Sequence, residues 1–132
     1  MQNEEWKPVR GYEGSYEVSN KGRVRSLSRL VEQRSKHDGS FKRMQSYKGK
    51  LVPFWITKKG YHRCTLNLNG KKSNHLVHQL VAKVFISNDE CKIQVNHINC
   101  IKSDNRVENL EWCTNTENYA HAVENKLTWY QK

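Results

Sequence analysis

Three features of the chain predict an α+β fold. Short alternating polar and apolar runs, broken by Gly- and Asn-rich turns, recur over residues 16–25 and 61–77. A single apolar stripe at helical spacing occupies residues 77–85. The C-terminal part then reads as strand, long polar loop, strand and helix, over about residues 94–125. With 132 residues and 36% hydrophobic content, the expectation is a small, elongated structure of two compact pieces joined by exposed chain. Residues 1–50 would form a basic N-terminal module with an exposed linker, and residues 51–132 the second unit.

The first strands are Tyr16-Glu17-Val18 and Arg23-Val24-Arg25, with Ser19-Asn20-Lys21-Gly22 as the turn, because Asn and Gly tolerate the positive φ of a tight hairpin. Arg23 and Arg25 are two apart and project from one face, which is expected to be cationic. Residues 31–50 are polar, basic and without period, and read as a long exposed loop. A strand from Leu51 to Thr57 follows, then one from Tyr61 to Leu68, an NGKK turn, and a returning strand from Ser73 to Val77. Val77, Leu80, Val81, Val84 and Phe85 then recur at i, i+3, i+4, i+7 and i+8, a helix that ends at Ser87-Asn88-Asp89. Gln94-Val95-Asn96 is a short strand, residues 97–108 an irregular loop, and Asn109 to Cys113 the second strand. Thr114 or Asn115 caps a last helix, with Asn118, Ala122 and Asn125 along one line.

Charge divides the chain. Residues 1–72 hold 17 basic and 6 acidic side chains, a net of +11, whereas residues 73–132 hold 6 and 7, a net of −1. A cationic half joined to a neutral one suits a polyanion-binding arm. A merely soluble basic surface is the plainer alternative. No apolar run approaches the roughly 20 residues of a membrane-spanning helix. The first ten residues lack an apolar core, so no secretory signal is expected. Four cysteines (Cys64, Cys91, Cys100, Cys113) without CxxC pairing are then expected as reduced thiols in a cytoplasmic protein.

The densest chemistry lies in VNHINCIKSDNRVENLEW, residues 95–112. The segment from His78 to Ala122, with VNHIN, NRVENLEW and TENYAHA, resembles the catalytic module of the HNH endonucleases, the ββα-metal (His-Me finger) nucleases. WKPVRGYEGSYEVSNKGRVRS, residues 6–26, resembles the N-terminal DNA-binding module of many phage and intron-encoded, homing-type HNH nucleases. The resemblance implies a ββα-metal unit preceded by a β-hairpin and helix, acting on double-stranded DNA with Mg2+ or Mn2+. It implies His97 as general base, Asn96 beside it as a metal ligand, and Asn118, 21 residues after His97, as the second ligand. His121, three residues further on the same helical face, is the next ligand candidate. Asn109 would bridge ribbon and loop by its amide, and His78 would be structural or phosphate-facing. Arg23, Arg25, Lys42, Arg43, Lys58, Lys59, Lys71 and Lys72 are candidate phosphate contacts.

The chemistry explains the residue types. Phosphodiester hydrolysis needs an activated water, and a histidine that is neutral near pH 7 can supply the base. Stabilising the leaving 3′ oxygen suits a divalent cation. Position 96 is often aspartate in the superfamily. An asparagine there brings an oxygen without charge and a weaker hold on the metal. A catalytically weak or inactive DNA-binding module is therefore the alternative function. Asn99 and Asn105 read as loop-shaping residues. Cys91, Cys100 and Cys113 flank His97 and leave a zinc site open as a rival, although their spacings are not those of a usual one. One site per chain implies nicking by a monomer or weak dimer. The expected location is the cytoplasm, that of the host cell if phage-encoded, and the chain is expected to lack a further C-terminal DNA-binding segment that relatives often carry.

Overall fold

The computed structural model describes residues 3–124; Asn125, read above as part of the last helix, lies outside them. The observed order is β1 (Trp6–Pro8), β2 (Tyr16–Ser19), β3 (Val24–Ser26), β4 (Arg29–Arg34), β5 (Phe41–Tyr47), β6 (Trp55–Ile56), β7 (His62–Leu68), β8 (Lys71–Leu76), α1 (Val77–Phe85), β9 (Gln94–His97), a 3-10 turn (Val107–Asn109), β10 (Leu110–Cys113) and α2 (Asn115–Glu124). The strands form four small antiparallel sheets: β1-β2-β3, β4-β5, β6-β7-β8 and β9-β10. The α+β architecture is as the sequence predicts.

Four local expectations change, the simplest being that the strand expected from Leu51 to Thr57 narrows to Trp55–Ile56. Residues 31–50 are mostly a hairpin rather than a loop, with Arg29 paired to Tyr47 and Arg34 to Phe41. Both faces of β4–β5 are largely solvated, so no inside–outside alternation marks it in the sequence. The NGKK turn shortens to Asn69-Gly70, with φ of 53° and 81°, and Lys71 and Lys72 join β8 opposite Leu68 and Asn67. Two successive left-handed residues give the tight turn whose twist matches its strands, which is why Asn-Gly alone closes it. A strand absent from the sequence reading, β1, pairs Trp6 with Ser19.

The two expected pieces share one apolar core. Val9, Tyr16, Val18 and Val24 from the N-terminal half cluster with Cys64, Leu66, Val77, Leu80, Val81, Ala82, Val95 and Leu110. Helix α1 supplies the centre of this cluster because its stripe buries Val77, Leu80 and Val81 together. Val18, Leu66 and Val81 are each fully buried, and removing such side chains to alanine typically costs about 2–5 kcal/mol for leucine-sized groups. After the β4–β5 hairpin the chain returns to β3: Ser26 N–H donates to Lys50 O at 2.8 Å and Val52 N–H to Val24 O at 2.8 Å. Among the described residues no helix is long and apolar enough to cross a membrane.

Candidate active site

Strand β9 ends at His97, and the chain turns there, with Cys100 N–H donating to His97 O at 3.0 Å and Cys100 in the left-handed region at φ 65°. The loop returns through the 3-10 turn into β10, so that Leu110 pairs with His97 and Glu111 with Asn96. Asn109 ties the two limbs. Its Oδ1 accepts from Asn99 N–H at 2.9 Å, its Nδ2 donates to Asp104 O at 2.9 Å, and its own carbonyl accepts from Ile98 N–H at 2.8 Å. An amide, with a donor nitrogen and an acceptor oxygen side by side, satisfies a backbone N–H and a backbone C=O at once, which an ionised carboxylate could not. Helix α2 starts with a reciprocal cap: Thr114 Oγ1 accepts from Glu117 N–H at 3.1 Å and Glu117 Oε1 from Thr114 N–H at 2.9 Å. That cap aims Asn118 and His121 back at β9.

These elements enclose a cleft of about 230 Å³ lined by Tyr61, Asn96, His97, Cys100, Lys102, Asn118 and His121, among others. Four of the sequence-predicted residues therefore meet in one place. Asn96 donates Nδ2–H to Glu111 Oε1 at 3.0 Å, and Asn118 donates Nδ2–H to Gln94 Oε1 at 2.9 Å. Both amide nitrogens are thus engaged, and the oxygens are what the two side chains have to offer. Neutral oxygens of this kind suit a hard divalent cation that completes its shell with water and substrate phosphate. His121 Nε2 lies 3.1 Å from Ile98 O. Among the described residues no three of His, Cys, Asp and Glu gather as a metal site, so the zinc reading of Cys91, Cys100 and Cys113 lacks its ligands.

His97 is 5% exposed, and its Nε2 lies 2.8 Å from Asn105 Oδ1. Burial lowers its pKa; the Asn105 hydrogen bond and the Asp104 carboxylate oppose this, and Lys102 adds to it. Burial thus favours the neutral, proton-accepting form of the imidazole. His78, on the first turn of α1, lies with its ring 4.8 Å from that of His97, and Tyr61 sits 5.2 Å from His78 and 5.9 Å from His97. Burial, then the neighbouring His97, pushes His78 down to about 4. Asp104 is held near 2 chiefly by its hydrogen bonds from Arg106, and it also accepts from Asn99. Sequence reasoning passed over Gln94, Glu111, Tyr61 and the His97 contact of Asn105. The first two were legible in principle, as Glu111 faces Asn96 in register and Gln94 begins the same strand.

The basic candidates fall into different settings. Arg23 forms a two-nitrogen ion pair with Glu4, and Arg25 pairs with Glu17 at 2.6 Å. Both guanidinium groups also stand over Trp6, so they share a face, but its charge is locally matched rather than cationic as expected. Lys42 and Arg43 are exposed on β5. Lys58 and Lys59 form the turn beside the cleft, where Lys59 O accepts from Lys102 Nζ at 2.8 Å. Lys71 and Lys72 are exposed at the far end of β7–β8, roughly 20 Å along the ribbon from His62.

Comparison with known proteins gives the lineage. Residues 4–67 match the NUMOD4 motif and residues 75–120 match the HNH endonuclease family. The DNA endonuclease I-HmuI of Bacillus phage SP01 is 36% identical over 124 residues, covering 94% of this chain and 58% of that protein. An uncharacterized HNH endonuclease of Acanthamoeba polyphaga mimivirus is 34% identical over 122 residues, covering 92% of this chain and 31% of the relative. A solved structure, described as DNA binding and cleavage by the HNH homing endonuclease I-HmuI, superposes with a TM-score of 0.72 at 32% identity, over 94% of this chain and 60% of that one. The chain thus spans between about a third and three-fifths of the length of these relatives. Residues 4–67 thus carry a NUMOD4 motif and residues 75–120 an HNH endonuclease module, and across both the chain is homologous to the HNH homing endonuclease I-HmuI.

Proposed function

We propose that the chain is a metal-dependent DNA endonuclease that hydrolyses phosphodiester bonds, one strand per active site. The observation that carries this reading is the single cleft lined by Asn96, His97, Asn118 and His121. In it, His97 takes a proton from a water molecule positioned against the scissile phosphate. Its buried, neutral ring is suited to that step. Asn96 and Asn118, through their amide oxygens, and His121 after them, would hold Mg2+ or Mn2+. When bound, the cation supplies Lewis acidity to the developing 3′ alkoxide. Asn109 keeps the two limbs of the loop at a fixed separation, and His78 backs the His97 ring as a structural neighbour.

Double-stranded DNA is the substrate, and the division of labour follows the charge. Residues 1–50 mainly hold the duplex and residues 51–132 carry the cut. Lys58 and Lys59 would meet phosphates next to the scissile bond. Lys42, Arg43, Lys71 and Lys72 would meet them further away, and Arg23 and Arg25 would have to exchange Glu4 and Glu17 for DNA. A monomer or weak dimer in the cytoplasm, the host's if phage-encoded, would nick. A second reading, DNA binding without cleavage, is favoured by the neutral Asn96, whose amide oxygen brings no charge to a divalent cation.

Nicking of supercoiled plasmid with Mg2+, Mn2+ or chelator separates the two. Metal-dependent nicking that His97→Ala abolishes is the expected result. Tight, salt-sensitive binding with no nicking in any metal would leave only the second reading.

A further inference from the structure

We infer that Asn105 is a positioning residue that sets the tautomer and direction of the His97 ring, and that the turn at Asn20–Gly22 in the N-terminal half clamps it there. The inference rests on the reading of His97 as the base. Asn105 Oδ1 stands 2.8 Å from His97 Nε2 in a buried contact. An amide oxygen carries only lone pairs, so Nε2 must be the protonated nitrogen, and Nδ1 is left with the lone pair that can accept a proton. Asn105 is itself only 4% exposed, and among the described residues its Nδ2 is buried without a partner. A side chain that pairs one end and leaves the other unsatisfied is poor packing, but it is a direct way to fix one imidazole nitrogen as a donor.

What holds Asn105 comes from more than eighty residues away in sequence. Gly22 sits at φ 86°, and a Cβ there would lie 2.7 Å from Asn105 Cβ and 2.9 Å from its carbonyl oxygen. No other residue fits the conformation or the space. Next to this contact, Val107 N–H donates to Asn20 O at 2.9 Å. The turn is anchored in its own half. Asn20 N–H donates to Glu5 O at 3.0 Å, Glu5 N–H to Asn20 Oδ1 at 2.9 Å, and Arg23 N–H to Ser19 Oγ at 3.1 Å. The loop that carries Asn105 is thus gripped between His97 on one side and the Asn20–Gly22 turn on the other. The N-terminal motif is part of the machinery that orients the base as well as an arm for DNA.

The test is imidazole NMR on the full, metal-free, 15N-labelled chain, above the pH range of imidazole titration, paired with single-turnover nicking. The native chain is expected to show a protonated His97 Nε2 with a slowly exchanging proton. Asn105→Ala should lose that proton signal and nick ~10²-fold more slowly, with DNA affinity unchanged. Asn105→Asp, which retains an acceptor oxygen, should restore the signal. Gly22→Ala, or Val107→Pro where the former does not fold, should weaken the signal and the rate in the same direction while the amide spectrum of α1 and β7 stays native. Proline suits this second probe because position 107 opens the 3-10 turn and Arg106 is already extended. A native His97 protonated at Nδ1, or an Asn105→Ala chain with native proton signal and rate, overturns the assignment to Asn105. A folded turn variant that behaves as native overturns the clamp. If the native chain nicks nothing, the proton signal alone still decides the positioning claim, and the failure belongs to the nuclease reading.

Discussion

Two antiparallel strand pairs in this chain are opposites. In β9–β10, Val95, Asn96, His97, Leu110 and Cys113 are buried, and the connecting loop is tied by the side chains of Asn109, Asn105 and Asp104. In β4–β5 no residue is buried, and Leu30, Phe41, Met44 and Tyr47 stand in solvent among Arg29, Arg34, Lys42 and Arg43. One pair holds its loop by buried, paired amides. The other offers charge and reach without a core of its own. On the proposed function, a 132-residue chain thereby separates the demands of chemistry from those of holding a polyanion. Precision is placed where neutral amides can be buried and paired, and charge where water screens its mutual repulsion.

Four measurements sharpen or break that contrast. The largest effect expected is on DNA affinity, which should fall roughly 10³–10⁵-fold between 50 and 200 mM salt if about six to ten phosphates are contacted. Titration at several salt concentrations gives the slope, and Lys42→Gln with Arg43→Gln should lower it by about two while leaving the melting temperature in place. A melting temperature that dropped with these exposed substitutions would mean that the ribbon is structural after all. Next is His97→Ala, expected to slow single-turnover nicking by ~10²–10⁴-fold with affinity unchanged. Asn109→Ala should then destabilise the fold, because it strands Asn99 N–H and Asp104 O at about 1–3 kcal/mol each where burial is complete, and less where water reaches. Denaturant unfolding reads this, and a loss below about 0.5 kcal/mol would show the loop to be held by other contacts.

The smallest effect is with acid. Burial places the folded His78 pKa at about 4, below the ordinary 6.5. The unfolded chain therefore binds the proton first. Its contribution to stability is complete above about pH 6.5 and falls as the pH is lowered toward 4, by a total on the order of 2–3 kcal/mol. His97, lowered in the same direction, adds to that slope. Unfolding series at stepped pH should show the decline, and His78→Phe should flatten it.

How much of this was legible in the sequence depended on where the physical signal lay. The stripe from Val77 to Phe85 gave α1 its bounds because one face is buried and one is not. Asn96, His97 and Asn118 were brought together only by the resemblance to the HNH module, and all three line one cleft. The hairpin at Arg29–Tyr47 left no such trace, since a pair of strands wet on both faces has no alternation to read. The pairing of Arg25 with Glu17 follows from cross-strand register and could have been derived once the Asn20–Gly22 turn was placed. Asn105 is the opposite case. Its local sequence, Asp104-Asn105-Arg106, suits a loop residue, and nothing within ten positions signals that it meets Gly22 from one side and His97 from the other. That information is tertiary.

The ribbon β4–β5 has one further consequence. It is a two-stranded sheet with both outer edges unpaired among the described residues, and its apolar side chains are already in water. Such an edge is a template for a strand of another molecule, and side-chain charge is what keeps two copies apart. Concentrated salt, which would release the chain from DNA on the proposed reading, also screens that repulsion. The same buffer that would strip nucleic acid during purification thus favours self-association through the ribbon, and colloidal stability should be greatest at moderate ionic strength or with a polyanion present.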